Sequence, residues 1–256
     1  MRLPVIAMLT IIIAGAIATP ALKDQQKVEA AESEVSIVRE AALTKEVTLT
    51  ETEAEISEDN EIHEEEINEV EETYVSPYDF ETLKKTTNAD IVAWVKIDGT
   101  QVDYPVLFDG TDQYLHMSLG GENSPAGSIY VDATTEAPFN ESVNIIYGHH
   151  MKDGSMFSAI DDYSYEDFWN NHQNISIYME DQELHLSPEF CVVGESDSSL
   201  RDIHDISTLE AFLGGKTVTQ GEVPAKYKDM YVFVTCNYTG DNYRTYLFCT
   251  AEELNP

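Results

Sequence analysis

The stretch that most constrains the fold of this 256-residue chain is a strand, a turn and a second strand at residues 231–249. Residues 231–234 are aromatic or β-branched, which is typical of a buried strand. The turn sequence Thr-Gly-Asp-Asn at 239–242 contains residues that tolerate positive φ, as a hairpin requires. We therefore predict an antiparallel hairpin with Cys236 at the end of one strand and Arg244 at the start of the next.

The register of this hairpin decides whether Cys236 and Arg244 meet. If paired residue numbers sum to 480, the two side chains lie on the same face with Cβ atoms roughly 5 Å apart. A guanidinium at that distance favours the ionised thiolate and offers fixed donors to a developing oxyanion. A slip of one residue would turn Arg244 away. The hairpin alone leaves a second interpretation open, a buried cysteine beside a surface arginine.

A second stretch supplies a partner for the thiol. The apolar strand at residues 143–147 is followed by Gly148, His149 and His150. A cysteine nucleophile commonly uses a histidine that is distant in sequence. Neighbours on a strand face opposite sides, so one of the two histidines is expected to face Cys236. A zinc site formed by both histidines and Cys236 lacks the usual paired ligand spacing, and we expect no metal or cofactor.

These two stretches together resemble the sortases, the cysteine transpeptidases of Gram-positive cell surfaces. The Tyr-Gly-His-His-Met sequence at 147–151 and the eight-residue interval from cysteine to arginine are most similar to class B. The resemblance implies that Cys236 is the nucleophile, His149 the catalytic histidine and Arg244 the residue that binds substrate and oxyanion. It also suggests that Thr235 and Tyr147 shape the substrate pocket, although both could be ordinary strand residues.

The chemistry that the resemblance implies is acyl transfer. Cys236 would cleave a sorting signal after Thr near the C-terminus of a secreted client protein, forming a thioester. An amine of a peptidoglycan precursor or cross-bridge would then take the client. Two alternatives stay open, a papain-like cell-wall cysteine peptidase and a non-catalytic surface barrel that binds a partner. Papain-like enzymes usually place cysteine before histidine and at a helix start, unlike this chain.

Short strands separated by turn signals, with few long helices, predict a closed or nearly closed β-barrel. Apolar runs near residues 91–97, 104–108, 128–132, 143–147, 175–179, 184–193, 230–237 and 243–250 give eight strands. The resemblance implies the same mainly β fold, an eight-stranded barrel with short peripheral helices and an N-terminal helical extension. Periodic apolar residues before Gly214 predict a helix over 205–213.

The N-terminal third has a different composition. Residues 3–22 are apolar or small between Arg2 and Lys23, which suits an export signal with cleavage after Ala18, or a membrane anchor. We favour a single uncleaved anchor at 1–23 that keeps the catalytic domain outside the cell. Residues 24–72 hold eighteen acidic and three basic residues, so we expect 24–76 to be a disordered or loosely helical stalk. Residues 77–256 then form the catalytic barrel.

Charge and cysteine content narrow the function further. The formal net charge of −34 argues against nucleic-acid binding, which depends on neutralising phosphates. The acidic surface either attracts a cationic substrate or keeps an exported protein in solution. Of the three cysteines, Cys191 and Cys249 lie within apolar strand patterns and are expected to be inert core residues, with a disulfide between them as the alternative. Cys236 is the thiol in reactive surroundings.

Overall fold

The computed structural model describes residues 20–42 and 74–252. Residues 3–19 of the predicted membrane segment and residues 43–73 of the predicted stalk lie outside the described residues. The helices are α1 (Pro20–Ala42), α2 (Phe80–Thr86), α3 (Ser158–Asp162), α4 (Glu166–Asn171) and α5 (Ile206–Leu213), with 3-10 turns at Gln113–Leu115 and Ser198–Asp202. The strands are β1 (Ile91–Ile97), β2 (Asp103–Leu107), β3 (Ile129–Val131), β4 (Val143–Tyr147), β5 (Ile175–Tyr178), β6 (Glu183–Glu195), β7 (Thr217–Gly221), β8 (Met230–Asn237) and β9 (Tyr243–Ala251).

Eight of these strands close into a barrel. Their order is β5-β1-β2-β3-β4-β8-β9-β6, and β6 pairs with β5 to complete the ring. The β2–β3 and β4–β8 pairs are parallel, and the other pairs around the ring are antiparallel. The predicted eight-stranded barrel is therefore confirmed. Strand β7 was not predicted, and it lies outside the ring because it pairs with β6 alone.

Strands β8 and β9 are buried on both faces, which gives the hairpin a rigid setting. One face contributes Phe233 and Leu247 to the main apolar cluster of the barrel. The other face contributes Val232 and Phe248 to a second cluster, which α5 covers through Phe212. Because each face has its own packing, the hairpin cannot shift register without exposing apolar side chains or burying polar ones.

The three cysteines are free thiols, so the alternative of a Cys191–Cys249 disulfide is wrong. Cys191 and Cys249 are fully buried. Burial raises the pKa of Cys191 to about 12 and the pKa of Cys249 well above its ordinary value. Both thiols are therefore inert at neutral pH, as the strand patterns predicted. Cys236 is the one of the three that is not buried.

Helix α1 packs against the barrel rather than standing apart from it. Val35, Val38 and Ala42 are buried in the main apolar cluster. Arg39 forms an ion pair with Asp103 of β2, with 3.0 Å between Nε and Oδ2. Residues 24–42 of the predicted stalk are therefore helical, which is one of the two states expected for the stalk. The packing of this helix on β2 was not expected. None of the helices in the described part of the chain has the length and apolar character needed to cross a membrane.

The packing of α1 predicts opposite behaviour for two neighbouring positions. Val38 is 8% exposed and Ile37 is 66% exposed. Val38→Asp should speed amide hydrogen exchange in α1 by at least about tenfold, because burying an unpaired carboxylate costs more than the roughly 1.4 kcal/mol that corresponds to a tenfold change. Ile37→Asp, the matched control, should leave the exchange rate within about twofold. Equal exchange in both variants would contradict the docking of α1.

Candidate active site

The five residues of the predicted site line one open cleft where β4 and β8 end and β9 begins. Tyr147, His149, Thr235, Cys236 and Arg244 all contribute to its wall. The cleft has a volume of about 380 Å³, which lies within the range of about 300–1,000 Å³ that is typical of ligand-binding sites in proteins. The fold therefore brings together residues from two stretches that are distant in sequence.

The hairpin sets the positions of Cys236 and Arg244. Strands β8 and β9 pair in antiparallel register with Cys236 directly opposite Arg244, so the paired numbers sum to 480, which is the register that a catalytic pair requires. Asn242 in the turn has a φ of 59°, the positive value expected of its turn sequence. The Nη1 atom of Arg244 donates a hydrogen bond to the Tyr243 carbonyl at 2.9 Å. Because a guanidinium has five N–H donors, several others remain to bind a substrate oxygen.

His149 reaches the cleft through the parallel pairing of β4 with β8. Tyr147 pairs with Val234, and the Gly148 amide donates to the Val234 carbonyl at 3.2 Å. Continuing this register places His149 alongside Cys236, and the strand pleat puts both on one face. His149 rather than His150 therefore lines the cleft with the thiol.

The imidazole of His149 is held by one of its two nitrogens. Nε2 lies 2.8 Å from the carbonyl oxygen of Leu115. Since a carbonyl oxygen only accepts hydrogen bonds, Nε2 carries the proton and donates it to Leu115. Nδ1 is then the nitrogen that remains for proton transfer. This contact orients the ring and selects its tautomer.

Gly148 is required where β4 ends. A Cβ atom at this position would lie 2.5 Å from Cδ1 of Ile129 and 2.6 Å from the ring of Phe157. Any side chain would therefore clash with the core on one side of the cleft. Because Gly148 has no side chain, its backbone can pack closely against Ile129 and Phe157, and His149 can follow directly after the buried strand β4.

His150 occupies a different environment from His149. Its Nδ1 lies 3.0 Å from the backbone carbonyl oxygen of Cys236 and 3.5 Å from the Asp161 carboxylate. Its ring also contacts the ring of Tyr238, with centroids 4.8 Å apart. Nδ1 must be the donor toward the carbonyl. His150 thus contacts the backbone of the cysteine strand rather than the cleft.

Thr235 and Tyr147 have structural contacts as well as cleft surface. The hydroxyl of Thr235 donates to the Gly148 carbonyl at 2.9 Å, which links β8 to the histidine segment. The Tyr147 ring packs on Tyr130, with centroids 5.5 Å apart. Burial, with the nearby negative charge of Asp132 as a smaller cause, raises the pKa of Tyr147, so its phenol stays protonated.

The cleft also contains an arginine that sequence reasoning missed. Arg201, from the 3-10 turn after β6, lines the cleft, and its Nε lies 2.7 Å from Oδ2 of Asp132. Burial acts to raise the pKa of Asp132, but hydrogen bonds from Thr134 and Arg201 outweigh it and lower the pKa. The ionised Asp132 therefore fixes Arg201 as a second positive group in the cleft. Arg201 and Asp132 are 69 positions apart in the sequence, so no sequence motif could have predicted their contact.

The described residues contain no group of three or more His, Cys, Asp or Glu side chains arranged to hold a metal ion. The chemistry that the cleft offers is instead that of a thiol, an imidazole and a guanidinium. This combination supports nucleophilic attack on a carbonyl, with proton transfer and oxyanion binding supplied by neighbouring groups.

Comparison of sequences identifies similar proteins over part of the chain. No protein-family model matches it. Sortase B of Staphylococcus aureus (strain NCTC 8325 / PS 47) is 39% identical over 97 residues, which are 38% of this chain and 39% of the relative. Sortase B of Listeria monocytogenes serovar 1/2a is 42% identical over 90 residues, which are 35% of this chain and 37% of the relative. These alignments span less than two fifths of the length of either relative.

Comparison of structures extends the similarity to the whole barrel. A crystal structure of S. aureus sortase B has a TM-score of 0.61 and 28% identity, covering 71% of this chain and 90% of that one. The S. aureus sortase B–substrate complex has a TM-score of 0.59 and 27% identity, covering 69% and 85%. Sortase B from L. monocytogenes has a TM-score of 0.54 and 28% identity, covering 63% and 94%. The aligned sequence and the barrel are therefore both similar to those of class B sortases.

Proposed function

We propose that this protein is a cysteine transpeptidase that attaches secreted proteins to a cell-wall amine. The observation that carries the proposal is the single cleft lined by His149, Cys236 and Arg244, in which Cys236 and Arg244 are direct cross-strand partners. Cys236 acts as nucleophile, His149 as general acid and base, and Arg244 as the group that binds substrate and oxyanion. Thr235 and Tyr147 shape the substrate pocket.

The first half of the reaction forms a thioester. The Cys236 thiolate attacks the carbonyl carbon of a Thr residue in the sorting signal, and the negative charge that develops on the carbonyl oxygen is stabilised by Arg244. The C–N bond to the next residue then breaks. His149, as an imidazolium with protons on both ring nitrogens, donates its Nδ1 proton to the leaving amine, and the client remains bound to Sγ through its Thr carbonyl.

The second half reverses these roles. An amine of a peptidoglycan precursor or cross-bridge attacks the thioester carbonyl, and His149 accepts the proton that the amine loses. The C–S bond breaks, the thiolate of Cys236 is restored and the client ends in a new amide. Water can replace the amine, which gives hydrolysis as a side reaction.

A peptide substrate is supported by the S. aureus relative, which forms a complex described as sortase B with substrate. Neither alternative is favoured. Cys236 lies on strand β8 rather than at a helix start, which is unlike a papain-type peptidase. A non-catalytic barrel would not require a thiol, an imidazole and a guanidinium in one cleft.

We also propose that residues 3–22 anchor the protein in the cell membrane and leave residues 77–256 outside the cell as the catalytic domain. The support is the apolar run of twenty residues between Arg2 and Lys23, which is long enough to span a bilayer as a helix. Such an anchor would hold the cleft close to exported clients and to membrane-bound wall precursors.

The nucleophile is tested by comparing two cysteines. Cys236→Ala should lower both peptide cleavage and hydroxylamine-stimulated transfer by at least about a thousandfold, because no thioester can form. Cys191→Ala, a buried control, should retain activity within about twofold in the folded fraction. Activity that survives in Cys236→Ala would eliminate Cys236 as the nucleophile. No activity in the unmodified protein would instead favour the non-catalytic barrel.

The anchor is tested by deletion in the producing cell. Removing residues 3–22 should abolish membrane association. In the intact chain, the mature protein should remain in the membrane fraction with its apolar segment uncleaved, as read by N-terminal sequencing. A mature N-terminus at residue 19 in the membrane-free medium would instead establish a cleaved export signal.

A further inference from the structure

Asp161 on α3 forms a hydrogen-bonded cluster behind the proposed catalytic residues. Its Oδ1 accepts a hydrogen bond from Nδ2 of Asn237 at 2.6 Å and another from the hydroxyl of Thr245. Nδ2 of Asn237 also donates to Oγ1 of Thr245 at 3.0 Å. The second carboxylate oxygen lies 3.5 Å from Nδ1 of His150. One carboxylate therefore contacts β8, β9 and the segment after β4.

Each partner of Asp161 is the chain neighbour of a proposed catalytic residue. His150 follows His149, Asn237 follows Cys236, and Thr245 follows Arg244. Because side chains alternate along a strand, Asn237 and Thr245 point away from the face that carries Cys236 and Arg244.

The backbone of the cysteine strand is tied to the same cluster. Nδ1 of His150 lies within 3.0 Å of the Cys236 carbonyl oxygen while it faces the carboxylate of Asp161. A shift of His150 would therefore move the backbone of Cys236, the proposed nucleophile. The cluster connects the histidine segment to the hairpin without entering the cleft, since Asp161 is not among the residues that line it.

The setting of Asp161 makes these contacts strong. Its side chain is 15% exposed and that of His150 is 20% exposed. A carboxylate in such a site has lost much of its hydration, so its hydrogen bonds must replace that stabilisation. Hydrogen bonds to an ionised acceptor are roughly twice as strong as those between neutral groups.

We propose that Asp161 is a positioning residue that sets the relative placement of His149, Cys236 and Arg244 by binding the residue next to each of them. The role rests on the proposed function, because it assumes that those three side chains act on one substrate. Loss of positioning should lower kcat with little effect on KM, because it weakens mainly the contacts that form in the transition state, such as that of Arg244 with the oxyanion. Displacing reacting groups by about 1 Å can cost on the order of a hundredfold in rate.

The test compares Asp161→Asn with Asp162→Asn in the full-length protein. Asp162 is the adjacent residue on α3, is exposed and makes none of these hydrogen bonds. Asp161→Asn should lower kcat by about tenfold or more while KM stays within about twofold. Asp162→Asn should change neither value by more than about twofold. A loss of kcat in Asp161→Asn that is explained entirely by a smaller folded fraction would overturn the proposal.

Alkylation of Cys236 by iodoacetamide gives a readout that needs no peptide activity. Cys191 and Cys249 are 0% exposed, so only Cys236 should react in the folded protein. Removing a negative charge near a thiol would by itself favour the thiolate and speed alkylation. If Asp161 positions His149 and Arg244 beside Cys236, Asp161→Asn should instead slow the alkylation of Cys236 severalfold.

The two readouts separate this inference from the proposed function. Slower alkylation in Asp161→Asn but not in Asp162→Asn supports positioning even if the unmodified protein transfers no peptide. Alkylation that is unchanged or faster in Asp161→Asn overturns the role of Asp161, whether or not the transpeptidase activity is found.

Discussion

The antiparallel pairing of β8 with β9 is the constraint on which the rest of the site depends. It places Cys236 opposite Arg244, and a slip of one residue would reverse the face of either side chain. Packing on both sides opposes such a slip. Phe248 of β9 stacks on Phe190 of β6 with ring centroids 4.4 Å apart. Phe212 of α5 packs edge-on against the ring of Phe248. The aromatic contacts outside the barrel therefore help to set the geometry of a polar pair in the cleft.

The second requirement is a parallel neighbour for β8. Strand β4 supplies it, and a parallel pair needs a long crossover rather than a tight turn. The chain between β4 and β8 is accordingly long, and it contributes α3, β5, β6 and α5 to the barrel and its surface. This same crossover carries Asp161 beneath the hairpin and Arg201 into the cleft. The segments that close the barrel thus also deliver the groups that surround the three proposed catalytic residues.

Features that depend on local pattern could be predicted from the sequence. The hairpin that carries Cys236 and Arg244 follows from its strand and turn residues, although these left its register open. The eight barrel strands follow from apolar runs and turn signals. The choice of His149 over His150 came from the resemblance to sortases, and the β4–β8 register supplies its physical reason. The catalytic roles of these residues stay predictions.

Features that depend on distant contacts could not be predicted in this way. Asp161 precedes Asn237 by 76 positions, and Arg201 follows Asp132 by 69, so no spacing rule joins them. Strand β7 is short and largely exposed, which leaves little apolar periodicity to detect. The packing of α1 was obscured by its acidic composition, although Val35, Val38 and Ala42 have the spacing of one helix face.

Trapping the acyl-enzyme tests the central claim most directly. The protein is mixed with a peptide that contains a Thr sorting signal, quenched in acid during turnover, digested and analysed by mass spectrometry. The account predicts an adduct on the Cys236 peptide whose added mass equals the substrate fragment ending in Thr, and which hydroxylamine removes. Cleavage of the peptide with no adduct on Cys236, or with the adduct on another residue, would contradict it.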